Sequence, residues 1–458
     1  MISATMFLVG IGLEILVYQS LGPLVVNALF ILVGLSILRL TGMTGRSERA
    51  AYMALFTMGV LASAVAGFYA DYIGDPMQTA GDAYGFYTLS VENVSDQTLD
   101  ELSSMHAGAL AIIIWRPVYD FFLALGFEGH RYIGVSVNCL MVAMVGPFTV
   151  RLGRSVCPEA STGQEEQLTK IMPLCALYWL YASVHLRDAH ILLSSTLLIY
   201  MWSIYLRNPR KLVYFALPFI GTIIGAIYLD YLRMRLGFLA IVIACAALFS
   251  LAYMRTNGPK ISGLKFILAG AASIAILGLA MTFGAGVSDA VIQGAESYST
   301  ATASNAAGNN SLATSLILDQ SPIVRAVLGV LYLFLFPIPV WSGLDQHTVY
   351  HLFKACNAIF FYFLIPALIV SAREILTKKQ CRNPITVFLL LYSLGYSMAV
   401  ALTSLETRHF GIVLPALFAL VMVPNWRLRK VRSLYHSYLA AVLTGVSAIH
   451  LLWGLVKI

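Results

Sequence analysis

Apolar residues recur along the chain in blocks about as long as a bilayer crossing, which takes roughly 20 residues of helix. They fall at residues 2–19, 21–39, 51–70, 131–150, 170–185, 190–206, 212–229, 236–254, 265–285, 351–372, 385–403, 409–424 and 434–455. Read as spans, the blocks predict an all-α, polytopic transmembrane bundle of about 13 crossings. No internal repeat is visible, so residues 1–458 form one expected integral membrane domain, with long polar loops at 71–107 and 286–322. The N-terminus is apolar from the start and lacks a basic leading region, which predicts a retained first helix.

Composition agrees with the pattern and narrows the class. Hydrophobic residues make up 59% of the chain, charged residues 11%, and mean hydropathy is +0.80. So few charges cannot cover a water-soluble surface, which excludes soluble, disordered and collagen-like readings. Six cysteines occur singly, with no CxxC and no Cys/His cluster, so neither a disulfide framework nor a zinc site is expected.

Charge then sets sidedness. Twenty of the 29 basic residues lie in six short loops, around Arg39–Arg49, Arg151–Lys170, Arg207–Lys211, Arg255–Lys265, Arg373–Arg382 and Arg427–Arg432. By the positive-inside preference these loops are cytoplasmic, as is the N-terminus. Residues 71–107 carry seven acids and no Lys or Arg, so that loop faces outward. The net charge of +7 thus speaks of membrane topology and not of nucleic acid.

Two further apolar segments break the alternation. Residues 108–127 contain Arg116, Pro117 and Asp120, and residues 323–342 contain Arg325 and Pro337-Ile338-Pro339. A full crossing by 323–342 would put the basic loop 373–382 outside. Both are therefore expected to be re-entrant or interfacial elements on the outer face, lining a cavity there.

Nine basic residues oppose the orientation preference: Arg116, Arg131, Arg187, Arg233, Arg235, Arg325, Lys354, Arg408 and Lys457. Charges held at such depth tend to be functional. Two stand in compact clusters. In His185-Leu186-Arg187-Asp188-Ala189-His190 an Arg–Asp pair and two histidines separate two apolar blocks. In Glu406-Thr407-Arg408-His409 a charged turn opens the block that contains Pro415. Each is either a polar turn or an anion clamp, since arginine's planar fork fits phosphate oxygens. A third cluster, Gly81-Asp82-Ala83-Tyr84-Gly85-Phe86-Tyr87, predicts a turn entering a short helix with Asp82 near the N-cap. Asp82 is a cap on one reading and a general base on the other. There is no phosphate-binding glycine loop, HExxH or GxSxG motif.

Taken in order, these three pieces resemble a family. GDAYGFY resembles the acidic, aromatic-flanked outer loop of bacterial membrane glycosyltransferases of the GT-C superfamily and related polysaccharide polymerases. LRDAHILLSSTLLIY resembles their basic-acidic step into a middle helix, and TRHFGIVLPALFAL their late helix with a basic start and a proline. In most such enzymes the acid follows the first membrane helix, whereas three apolar blocks precede it here.

The resemblance implies a site at the outer leaflet of the cytoplasmic membrane, cell-envelope polysaccharide synthesis, and a sugar donor on a polyprenyl phosphate or diphosphate. The acceptor would be a glycan or lipid-linked saccharide. Asp82 would be base or metal ligand, which leaves a divalent cation open and no other cofactor implied. Tyr87, Arg116, Arg187, Asp188, Glu406, Arg408 and His409 would bind substrate, with Arg187 and Arg408 at the carrier phosphates. The competing function is a transporter or flippase of lipid-linked oligosaccharide, which should show repeats and mid-membrane polar sites.

Overall fold

The computed structural model describes residues 2–72, 81–91, 109–157, 162–209, 211–233, 236–255, 270, 273, 317, 320–337, 340–343, 348–403 and 405–456. Among these residues all regular secondary structure is helical. The first half comprises α1 (Ile2–Tyr18), α2 (Gly22–Leu40), α3 (Arg46–Tyr72), α4 (Gly81–Val91), α5 (Ala109–Ala124), α6 (Tyr132–Val156), α7 (Thr162–Ile171) and α8 (Ala176–Ser183). It continues with α9 (Asp188–Arg207), α10 (Leu212–Leu232), α11 (Phe238–Arg255), α12 (Pro322–Leu335), α13 (Val349–Thr377) and α14 (Pro384–Thr403). The last three are α15 (Thr407–Phe410), α16 (Leu414–Leu420) and α17 (Arg429–Val456).

Helix α6 is the centre of the bundle. Nearly all its residues are buried, and it packs against α3, α9 and α16. An apolar helix buried all round is what a core position requires. Helices α10 and α17 are the opposite case. Val213, Ile224, Leu451 and Leu455 are among the large apolar residues they leave exposed. Apolar side chains turned outward on bilayer-length helices fit a lipid environment, and the chain is an integral, multi-pass membrane protein.

Eight helices among the described residues are long and apolar enough to cross a bilayer, not the 13 expected from the pattern. The excess has local causes. Block 170–185 breaks at Pro173, where the 3-10 turn Met172–Leu174 separates α7 from α8. Block 409–424 breaks at the 3-10 turn Gly411–Val413, and Pro415 then opens α16, only 7 residues long. Proline lacks the N–H that a continuous helix needs there. Blocks 2–19 and 236–254 are helical, but their apolar stretches Thr5–Tyr18 and Phe238–Met254 are short. Block 265–285 lies outside the described residues apart from 270 and 273.

The two segments expected to be re-entrant form α5, 16 residues long and continuous through Pro117, and α12, 14 residues long. Both are shorter than a crossing. α12 stops at Phe336, before Pro337, as a residue preceding proline is pushed out of the helical region. Of the two long polar loops, α4 is the main described part of 71–107, and the rest, with nearly all of 286–322, lies outside the described residues.

Polar ties mark two ends of the bundle. At one end Glu48 accepts from Arg151 (2.9 Å) and Arg154 (2.8 Å), and Glu165 accepts from Arg154 at 2.6 and 2.8 Å. Arg151 also donates to the Gly42 carbonyl, Arg207 to Ser155, Asn383 to the Val156 carbonyl and Gln164 to the Pro424 carbonyl. Five of the six basic loops therefore meet at one end; the sixth, at 255–265, is almost entirely outside the described residues.

Glu14, isolated in the sequence, is not isolated in the fold. It is buried and accepts from Ser63 (2.6 Å) and Asn27 (3.0 Å), while Asn27 accepts from Ser136 (3.0 Å). The network joins α1, α2, α3 and α6. Inside a bilayer such polar groups must find partners across helices.

Candidate functional site

The end opposite the basic loops is built around the α8–α9 junction. Val184 is extended and ends α8, and the chain turns through His185, Leu186 and Arg187 into α9. Asn138 of the central helix holds this turn. Its amide donates to the carbonyls of Val184 (2.8 Å) and Leu186 (3.0 Å), and its oxygen accepts from the Trp115 indole (3.2 Å). The turn is thus fixed to a helix that is buried along nearly all its length. Arg187 stands at the N-cap of α9 and Asp188 in its first turn. The peptide N–H groups of that turn give the position a positive field of its own.

His185 and His190 are buried against Trp115, with ring centroids 4.0 and 5.4 Å from it. His185 fits because residue 134 is glycine: a Cβ there would lie 2.2 Å from its Nε2. No ring nitrogen of either histidine has a hydrogen-bond partner among the described residues. Burial, with His190 close by, pushes the His185 imidazole down to about 3. The unfolded chain takes up this proton as the pH falls below about 6.5, whereas the folded chain resists until about 3. The neutral ring therefore contributes stability above the unfolded value, and that contribution is lost as the pH falls through this window. Thermal stability in detergent should fall from about pH 6.5 downward, and His185→Phe should flatten that slope by roughly one proton. An unchanged slope would mean that the ring is not held neutral.

Helix α4 brings the aromatic part of the acidic loop to this turn. The Arg187 guanidinium lies over the Phe86 ring, 5.3 Å from its centroid. Tyr87 meets His185 edge-on at 6.1 Å and donates to the Gly129 carbonyl at 2.7 Å. Gly81 and Asp82 open α4, so Asp82 is helical in backbone and one turn before Phe86; its side chain lies outside the described residues.

The second half of the site comes from residues 405–411. Leu405 takes φ 48°, a left-handed conformation costly for a leucine, and turns the chain out of α14 into this segment. Glu406 precedes α15, where Arg408 and His409 follow. The Arg408 carbonyl accepts from Tyr181 of α8, whose hydroxyl occupies the space over Gly411; a Cβ at 411 would lie 2.0 Å from it. Glu406 accepts from Lys354 Nζ (2.9 Å) and from Tyr350, both on α13. Lys354 also lies over the Tyr350 ring at 4.2 Å. Burial pushes the Glu406 carboxyl up, but Lys354, Arg408 and the Tyr350 hydrogen bond outweigh it and hold it at about 2. Glu406 is thus a fixed anion that positions Lys354, and not a proton acceptor at neutral pH.

His409 shows how the parts converge. Its ring contacts Arg233, at the end of α10. It is held well below its ordinary value first by burial, then by Arg233, Arg408, Arg187 and Lys354. Four cations from four separate segments thus act on one neutral imidazole. The carboxylates of Asp188 and Glu406 lie in the same region, close enough for both to act on Tyr350. The cluster is a net cationic recess with planar donors, and its chemistry suits an anion with several oxygens.

Of the residues singled out from sequence, Tyr87, Arg187, Asp188, Glu406, Arg408 and His409 come together here. Arg116 is half-buried on α5, one position after Trp115 and so rotated by about 100° from the face that meets His185. Arg233 and Lys354 were legible only as violations of the orientation preference, and Asn138, Trp115, Tyr181 and Tyr350 not at all. No group of three or more His, Cys, Asp or Glu able to hold a metal occurs among the described residues. No protein-family model and no curated protein matches the chain, so its functional reading rests on the chemistry of this recess.

Proposed function

We propose that the protein is a membrane glycosyltransferase or polysaccharide polymerase acting on a sugar carried by a polyprenyl phosphate or diphosphate. The observation that carries this is the gathering of cations around residues 405–411: Arg233 against His409, Lys354 at 2.9 Å from Glu406, and Arg408 between those two positions, with Arg187 near enough to act on His409. A phosphate leaving group gains negative charge as its bond to the sugar breaks, and preorganised cations lower the barrier where that charge develops. The acceptor hydroxyl oxygen forms the new bond to the anomeric carbon, the bond from that carbon to the carrier phosphate breaks, and the hydroxyl proton passes to a base. Asp82 is assigned that role because α4, which it opens, carries Phe86 to Arg187 and Tyr87 to His185. A carrier with a long apolar tail suits a recess at the end of a bundle whose flanks are apolar. The α5 and α12 helices are assigned to the outer face beside it.

Orientation is a separate part of the proposal. The basic end is assigned to the cytoplasm and the recess to the outside. Ala189 and Thr407 are buried and unsuited to labelling, whereas Tyr84 is 56% exposed and the Glu128 side chain 82%. Cysteine at 84 or 128 should react with an impermeant thiol reagent on intact cells, and cysteine at Arg427 only after permeabilisation. The reverse pattern would overturn the orientation.

The activity is tested in proteoliposomes supplied with polyprenyl-diphosphate-linked saccharide and acceptor. Glycan growth with stoichiometric release of polyprenyl diphosphate is expected. Movement of the intact donor across the bilayer without bond cleavage would replace this reading with a flippase.

A further inference from the structure

We propose a second site, at the basic end of the bundle, that holds one anionic phospholipid. An acyl chain lies in a groove between α7, α13, α16 and α17, and its phosphate in the polar pocket beside it. The groove has a volume of about 390 Å³ and is almost wholly apolar, lined by Leu168, Ile171, Phe360, Leu364, Phe418 and Tyr435 among others. The adjoining pocket, about 430 Å³, is lined by Lys378, Asn383, Asn425 and Arg427, with Glu374 paired to Lys378. Gln164 lines both, so an apolar chamber and a polar one share a wall.

Trp426 and Tyr435 line the apolar groove, and Trp426 stands between Asn425 and Arg427 of the polar pocket. The Trp426 indole donates to the Val421 carbonyl at 2.8 Å and packs on Tyr435 at 5.8 Å, while Tyr435 donates to the Phe363 carbonyl at 3.2 Å. Tryptophan and tyrosine favour headgroup depth, with one side apolar and one wet. Directly next in sequence come Arg427, Arg429, Lys430 and Arg432, all exposed around the first turn of α17. Basic pockets between membrane helices on the cytoplasmic side attract anionic headgroups. α17 packs chiefly on α13 and leaves most of its length exposed, which keeps the groove open to the bilayer. A diacyl lipid fits both chambers because chain and phosphate belong to one molecule. This site is at the opposite end from the cationic recess and does not rest on the transferase reading.

Trp426 supplies its own probe. The purified full-length protein is placed in phosphatidylcholine nanodiscs carrying a minor fraction of either brominated phosphatidylglycerol or brominated phosphatidylcholine. The Trp426 emission is taken as the difference between the wild type and Trp426→Phe. Quenching should be several-fold stronger with brominated phosphatidylglycerol. The triple variant Arg427→Gln, Arg429→Gln, Arg432→Gln should lose that preference. Ala367→Phe, which projects a ring into the groove, should lose quenching by both lipids. Equal quenching by the two lipids in the wild type overturns the proposal, as does a preference that survives the triple variant. If Ala367→Phe fails to insert, the triple variant decides alone, because its residues are exposed.

Discussion

Arg408→Ala is expected to lower transfer from a lipid-linked donor by about two to three orders of magnitude, the cost of losing a preorganised donor to a developing anion. Arg187→Ala should do the same, and the double variant should be little worse than either. Both arginines act on His409, and both sit on fixed frames: Arg187 on the turn held by Asn138, Arg408 on the segment anchored through its carbonyl by Tyr181. Residues that serve one phosphate lose their function together, so their effects do not add. Lysine at either position keeps the charge but loses the bidentate fork, and activity should fall with insertion intact. Turnover and carrier affinity, measured separately in proteoliposomes, check this. Unchanged values in both alanine variants would leave the cations as headgroup anchors that snorkel to the interface.

Asp82→Asn should abolish transfer while leaving expression, insertion and carrier binding intact. Asp82 is the second residue of α4, where asparagine gives up only the acid's attraction to the helix N-terminus, about 0.3–1 kcal/mol. It removes the basicity needed to take a hydroxyl proton and the charge needed to hold a divalent cation. Glu406 cannot stand in for it, because Lys354 and Arg408 hold that carboxyl at about 2 against the effect of burial. Unchanged glycan growth in the asparagine variant would end the catalytic assignment. A requirement of the wild type for added magnesium or manganese, together with loss of metal binding in Asp82→Asn, would favour the metal-ligand role.

The pairing of the two halves of the recess was partly visible in advance. Arg187 and Arg408 stand out because each violates the orientation preference beside an acid and a histidine. Lys354 and Arg233 violate it too, but neither has both an acid and a histidine within two residues. Lys354 is part of the site because α13 places it 2.9 Å from Glu406, fifty-two residues away. Asn138 looks like any polar residue in a membrane helix, and only the fold reveals that it carries the α8–α9 turn on its amide.

Hydropathy and charge, which are sums over local windows, determined the all-α, multi-pass class and the grouping of basic loops at one end. They do so because the bilayer selects on length and apolarity, whatever the packing. The number of long helices was decided by the tertiary structure, since Pro173, Gly411–Val413 and Pro415 break blocks whose average hydropathy does not register the break. The recess was decided there as well. Its charges come from residues 187, 233, 354 and 408, and their meeting depends on which faces of α9, α10, α13 and α15 turn toward one another. That choice follows from complementary packing around α6, a property of several helices together that no single stretch of sequence contains.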